Sequence, residues 1–497
     1  MAEIQLIDVS VRDGNQSLWG ATGLNTAKIL SIAPVMDRVG FRALDFNSST
    51  HMGVAVRQHK ENPWECIRLA HEAMPNTPLQ SIGTGFRFIS WETAHPEFMQ
   101  LVYDRMVANG ISRFVVLDPM HDAEALLESA RRIRKAGGTE IIGALTYTVS
   151  AVHDDAFYAN LAGRMAQSPD IDRVYIKDPT GLLTPERART LIPAIRARLG
   201  GKALELHSHC TIGLAPLTYM SAAELGVSVL QVACGALSNG TSLPNAQRIV
   251  ANLRALGHTV DIDDRALALV ADYFTRLAKA EGLPAGAPQE FDASYLNHQL
   301  AGGAVTTLKR QLRELKLEHR FDAVMEEVCR VRAELGYPIM VTPFPQIVYT
   351  QAMYNVVGNE RYGNVSDQLI RYVLGSFGRP TAPIAPEVMD RILSRPRAKE
   401  LSNEAPPLPP EELRKRFPPR ISDEEFLLRA TMPEDQVDAM LVAGPARRHY
   451  NPDTRTVLKL LRELNKRPAT LGLIIEKPEF KLELHRAGHH DTTPAQT

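Results

Sequence analysis

The first half of the chain repeats one pattern. Short apolar runs rich in β-branched residues alternate with longer segments whose apolar positions recur every three or four residues. The runs read EIQLIDV, FRALDF, PLQSIGT, ISRFVVLD, EIIGALTYT, IDRVYIKD, ALELHSH and VSVLQVAC. Between them lie segments such as HPEFMQLVYDRMVANG and DAEALLESARRIRKAGG, which close on glycine as helices often do. Eight strand–helix units predict a parallel sheet closed into a (β/α)8 TIM barrel over residues 1–290. An open doubly wound sheet is the rival, but it would usually carry a glycine-rich phosphate loop after the first strand, and none is present.

Near residue 290 the alternation stops. FDAVMEEVCRVRAEL and PQIVYTQAMYNVV have helical periodicity, which predicts a mainly α-helical domain over 291–445, packed on the barrel mouth. APPLPPEELRKRFPPR is proline-rich and predicts an extended span. The tail, 446–497, holds one amphipathic pattern (NPDTRTVLKLLRELNKR) and short strand-like runs (TLGLIIEKPEFKLELHRAG). It ends in HHDTTPAQT, which predicts disorder. This tail is a candidate partner-binding segment.

Composition narrows the function. The 497 residues carry 56 basic and 57 acidic side chains, which disfavours nucleic acid as the main partner. There is no apolar run of about 18 residues, so no membrane span is predicted. MAEIQLIDVS lacks a basic region leading into an apolar core. The four scattered cysteines form no CxxC. Both features predict a cytoplasmic protein.

In a TIM barrel, chemistry sits at the C-terminal ends of the strands. Asp13 lies just past the first run, in VRDGNQSLWG. Thr84 and Asp118 close the third and fourth runs, Lys177 and Asp178 the sixth, and His207 and His209 the seventh. Residues two apart in a strand share a face, so His207 and His209 both point into the mouth and form a natural pair of metal ligands. Their blander reading is a hydrogen-bonded strand pair. Asp13 is a hard oxygen ligand if the barrel brings it to the same rim, and an ordinary turn residue if not. A lysine at the end of an inner strand is costly to desolvate, so Lys177 needs a partner, such as Asp178 or another carboxylate, or a chemical role.

RDGNQS, IKDPTGLL, HSHCTIG and VTPFPQIV, in this order, resemble the motifs of the carboxyltransferase component of biotin-dependent 2-oxo acid carboxylases and decarboxylases. LAGGAVTTLKRQLRELKL and PEVMDRILSRPRAKELSNEAPPLPPEEL extend the likeness to about residue 445. The resemblance implies a divalent metal (zinc, manganese or cobalt) on Asp13, His207 and His209, with Lys177 carboxylated on its amine as the fourth ligand. It implies Gln16 beside the substrate. Thr342 is implied as the proton carrier between biotin and the substrate enol. Biotin is expected on a separate carrier protein, with a biotin carboxylase subunit as further partner, because the chain shows neither an ATP phosphate loop nor a Met-Lys-Met biotinylation motif. A homodimer or higher homo-oligomer is usual in the family.

Three positions depart from the family pattern. Thr84, in SIGTGFRF, stands where the family has an arginine for the pyruvate carboxylate. Arg87 is the nearby candidate to replace it, but a hydroxyl does not reproduce a bidentate guanidinium grip, which counts against pyruvate itself. Pro345 replaces the serine of VTPxS and Gln346 follows it, and Cys210 replaces the aspartate of HxHD and reads as an apolar filler. Two rivals remain. A biotin-independent metal-dependent aldol or Claisen lyase or synthase shares RDGNQ and the HxH pair but needs neither Lys177 nor Thr342. A non-catalytic scaffold would keep the barrel without its chemistry.

Overall fold

A computed structural model describes residues 2–90, 92–450, 460, 462–464, 466, 472–477 and 480–485. Strands β1 (Gln5–Asp8), β2 (Ala43–Ser48), β3 (Leu79–Thr84), β4 (Ile111–Leu117), β5 (Glu140–Thr146), β6 (Arg173–Asp178), β7 (Leu204–Ser208) and β8 (Val229–Val232) match the apolar runs of the sequence. They close into a barrel in sequence order, with β1 parallel to both β2 and β8. The helices between them start on side-chain caps. Asp122 accepts from the amides of Glu124 and Ala125, and Thr184 from that of Arg187. Gly137, left-handed at φ 100°, ends helix Ala123–Ala136.

The barrel interior is layered. At the N-terminal end Arg113 is buried and bonds Gln80 at 2.7 Å, Glu140 and Glu205. Above it sit Ile82, Val115, Leu117, Ile142, Ala144 and Tyr175, one apolar cluster. The polar residues singled out in the sequence come last, at the C-terminal rim. Outside the strands, apolar helix faces complete the main core.

Residues beyond 300 build a second core, from Leu300 to Leu401, around helices Phe321–Glu334 and Phe344–Val357. Met120, from the loop after β4, belongs to it and joins it to the barrel. This second core covers less than the span 291–445 read from the sequence as a helical domain packed on the barrel mouth. Phe426, Leu427, Leu428, Val437 and Met440, on helices Asp423–Arg429 and Glu434–Ala443, are part of the barrel's own core. Phe98 and Phe426 meet edge to face at 5.9 Å, and the Trp64 indole donates to Glu424 O at 3.2 Å. The proline-rich stretch 404–409 has no regular structure, and Pro410–Arg414 is a short helix. In the tail, Gly472–Lys477 pairs antiparallel with Phe480–His485. Most of the expected helix in NPDTRTVLKLLRELNKR, and the terminal HHDTTPAQT, lie outside the described residues.

One glycine links fold to site. Gly181 follows β6 at φ +77°, and a Cβ there would stand 2.1 Å from His209 O. Gly200, at φ +58°, has open space within 4 Å of where a Cβ would stand. Gly200→Ala therefore costs only the left-handed backbone, about 1 kcal/mol. Gly181→Ala adds a backbone clash and is expected to cost about 3 kcal/mol. Urea unfolding of the two variants side by side checks the difference.

Candidate metal and active site

The chain widens into a single π-helical turn, Ser10–Gly14, directly after β1, and this turn carries Asp13 into the mouth. β6 and β7 are paired so that Lys177 lies opposite His207. His209 follows two residues later on the same face, and the two imidazoles lie 4.9 Å apart. Asp13 Oδ2 is 3.3 Å from His207 Nε2 and 3.7 Å from Lys177 Nζ, and Asp13 Oδ1 is 3.4 Å from His209 Nε2. Lys177 Nζ is 3.4 Å from His207 Nε2. Three separate strand ends thus meet within contact distance.

The outer partners fix how these groups face one another. His207 Nδ1 lies 2.9 Å from Gln231 Oε1, and His209 Nδ1 lies 2.7 Å from Thr241 O. Both oxygens only accept, so each Nδ1 carries a proton and each Nε2 faces Asp13. Tyr175 also donates to Gln231 Oε1, at 3.3 Å. Burial would raise the Asp13 carboxyl, but Arg12, His209 and Lys177 outweigh it and hold the group well below the usual carboxylate range. Burial, reinforced by Lys177, drives His207 well below its ordinary value, so its imidazole is neutral. Burial also lowers Lys177, to about 8, against the pull of Asp13.

One carboxylate and two imidazole Nε2 atoms facing each other form a donor set that suits a divalent cation. Their ligand atoms all lie within 4.8 Å of one another, the distance a shared ion requires, so the residues fit a metal. Cys210 is no part of this set. Burial raises its thiol to about 12, and it stays an apolar filler.

A cavity of about 420 Å³ opens above these groups. Asp13, Lys177 and His209 line it, with Gln16 from the first loop, Thr84 and Arg87 from the end of β3, and Thr342, Pro345 and Gln346 from the helical part. His207 is fully buried behind this wall. The ion pair between Lys177 and Asp178 that the sequence left open does not form. Neighbours in a strand point to opposite faces, and Asp178 instead accepts from the amides of Leu182 and Leu183 and from Ser208 Oγ. Asp118 likewise accepts from the amides of Met120 and Asp122, shaping its loop.

Sequence reasoning missed three groups. Arg12 bridges Asp13, at 2.8 Å, and Asp45, whose Oδ2 lies 2.6 Å from Arg12 Nε. Gln231 orients His207. Both Asp45 and Gln231 are polar residues inside otherwise apolar runs, and that was the available signal.

The sequence and the fold are similar to those of known carboxylases. A family model described as the conserved carboxylase domain matches residues 296–484, so the similarity runs through the tail strands and past residue 445. A pyruvate carboxylase subunit from Methanocaldococcus jannaschii is 34% identical over 409 residues, covering 82% of this chain and 71% of that protein. The 2-oxoglutarate carboxylase large subunit of Hydrogenobacter thermophilus is 29% identical, covering 90% of this chain and 70% of that protein. The carboxyl transferase domain of Rhizobium etli pyruvate carboxylase superposes with a TM-score of 0.80 at 25% identity, covering 90% of this chain and 78% of that one. Fold and site define a TIM-barrel enzyme whose chemistry is assembled at the strand C-termini beneath a helical cover. The chain belongs to the carboxyltransferase family of biotin-dependent carboxylases and decarboxylases.

The outer partner of His207 gives a direct test. Gln231→Leu removes the acceptor for Nδ1–H and leaves the imidazole free to turn or change tautomer. Zinc and manganese affinity, measured by competition with a chromophoric chelator, is expected to fall about 10- to 100-fold with little loss of fold.

Proposed function

We propose that the protein is the carboxyltransferase subunit of a multi-subunit enzyme, moving a carboxyl group between carboxybiotin and a 2-oxo acid acceptor. The observation that carries this reading is the meeting of Thr342, from the helical part, with Asp13, Lys177 and His209 on the wall of one cavity. A lyase working from the barrel alone has no use for a hydroxyl delivered there by a separate layer. The subunit names of the relatives support a multi-subunit assembly, whose proposed other members are a biotin carboxylase and a biotin carrier as separate chains. Among the described residues, no helix is long and apolar enough to cross a membrane.

Asp13, His207, His209 and a carboxylated Lys177 would hold the divalent metal, which supplies Lewis-acid polarisation of the acceptor's carbonyl. Carboxylation suits Lys177 because its amine is buried and its pKa is lowered. Amine and carbon dioxide give a carbamate and a proton, and a costly buried cation becomes an anionic oxygen ligand. In the transfer, carboxybiotin releases carbon dioxide, and its ureido nitrogen takes the proton of the Thr342 hydroxyl. That hydroxyl is restored by a proton from C3 of the acceptor, the carbon next to the oxo group, and the resulting enolate attacks the carbon dioxide through C3. Gln16 hydrogen-bonds the acceptor. Arg87 is assigned the acceptor's carboxylate, since Thr84 offers only a hydroxyl. This rearranged grip disfavours pyruvate and favours another 2-oxo acid.

Two measurements test the reading. The native chain is expected to contain about one metal per site and to show a carbamate carbon signal after incubation with ¹³C-bicarbonate. Lys177→Ala loses the carbamate and most of the metal. Metal retained in full without Lys177 would favour the lyase. A screen of 2-oxo acids with carboxybiotin should find one acceptor whose KM rises about 10-fold or more in Arg87→Gln, as loss of a charge-assisted hydrogen bond of roughly 1.5–3 kcal/mol requires.

A further inference from the structure

Thr342 belongs to a different layer from the metal ligands, so something must set its position over the barrel. The chain reaches it by an awkward route. Helix Phe321–Glu334 ends, and both Gly336 and Tyr337 then take left-handed backbone, at φ 77° and 57°. For tyrosine that conformation is unfavourable and needs surrounding contacts to hold it. From there only the short span Pro338–Val341 leads to Thr342.

Arg332, in the last turn of that helix, supplies those contacts. Its Nε donates to Pro338 O at 3.1 Å, across the turn, and its guanidinium stacks 5.7 Å over the Tyr337 ring. The same side chain reaches the barrel. Nη2 donates to Thr148 Oγ1 at 2.8 Å and Nη1 to Val149 O at 3.1 Å, both in the loop after β5. Gln299 completes the junction. Its Oε1 accepts from Thr148 Oγ1 at 2.8 Å and from Val149 N at 3.1 Å, and its Nε2 donates to Val149 O at 2.6 Å. Its own carbonyl accepts from Thr180 Oγ1, beside the cavity-lining Pro179, at 3.3 Å.

Arg332 is only 4% exposed, and these hydrogen bonds go to two carbonyls and a hydroxyl, not to a carboxylate. Burial lowers it to about 10. A buried cation without a countercharge in its hydrogen bonds is expensive for fold stability alone, and an apolar side chain would pack the same junction at less cost. Its planar fork, however, can grip two segments at fixed spacing, which an ammonium or an apolar group cannot.

We propose that Arg332, together with Gln299, is the positioning element that holds Thr342 in the barrel mouth. It registers the Pro338–Thr342 span against the loops after β5 and β6. This rests on Thr342 acting as the proton carrier. Arg332 lies outside the cavity wall, so it acts through Thr342 and touches no reactant.

The test uses the full chain with free biotin and, as carboxyl donor, the carboxylated product of the 2-oxo acid that the acceptor screen identifies. Arg332→Gln and the milder, isosteric Thr148→Val are each expected to lower kcat by roughly 10- to 100-fold, as a misplacement of about 1 Å does. KM and metal content stay close to those of the unaltered chain. In a Thr342→Ala background neither substitution should lower the residual rate further. A merely structural role would multiply the losses and would overturn the proposal while leaving the proton-carrier reading intact. If Thr342→Ala turns over at full speed, the proton-carrier reading fails and the proposal with it. Amide exchange gives a readout independent of the acceptor. The peptide covering 338–346 should exchange faster in both variants, with the Asp13 and His207 peptides unchanged, and no acceleration there overturns the proposal.

Discussion

A single buried carboxylate organises the barrel mouth. Asp13 is kept ionised in a place where burial alone would protonate it. The groups that keep it so are Arg12 beside it and, from other strand ends, Lys177 of β6 and His209 after β7. Arg12 beside it is itself held by Asp45 of β2. Apart from the adjacent Arg12 and the His207–His209 pair, these groups are far apart in sequence, so the cluster exists only when the barrel has closed. Removing one charge strands the rest, because a buried ion that loses its partner costs far more than the pair contributed.

The two ends of the barrel divide the work. At the N-terminal end Arg113 joins Gln80, Glu140 and Glu205 from three other strands in a pairing that fills the base. At the C-terminal end the Asp13 cluster faces a cavity open to reactants. The apolar layer between them separates the two charge systems, so each is paired locally. Strand ends of one kind hold the cylinder shut, and ends of the other kind carry the chemistry.

Much of this was legible in the chain. The eight apolar runs gave the strands, and period two placed His207 and His209 together. Other facts depended on which surfaces meet. Lys177 clearly needed a partner, but the adjacent Asp178 is turned away by strand alternation and organises the next loop. Gln231 is conspicuous in VLQV, yet its target becomes visible only when β8 lies beside β7. Helices Asp423–Arg429 and Glu434–Ala443 have apolar faces that fit either core, and periodicity does not say which. Arg332 reads as an ordinary helix-surface charge until Pro338, Thr148 and Val149 are seen around it.

The return of the chain to the barrel at Phe426–Met440 makes the helical cover a closed loop. It leaves the barrel after β8 and its last helices, and comes back to a different flank, beside Trp64 and Phe98. A cover hinged at one end could swing far from the mouth. One fastened at both ends is restricted to small rocking motions, because its ends are already brought together and the entropy of closing that loop is spent once, on folding. Traffic of a bulky reactant into the cavity must then pass between the cover and the strand ends, which line that cavity together.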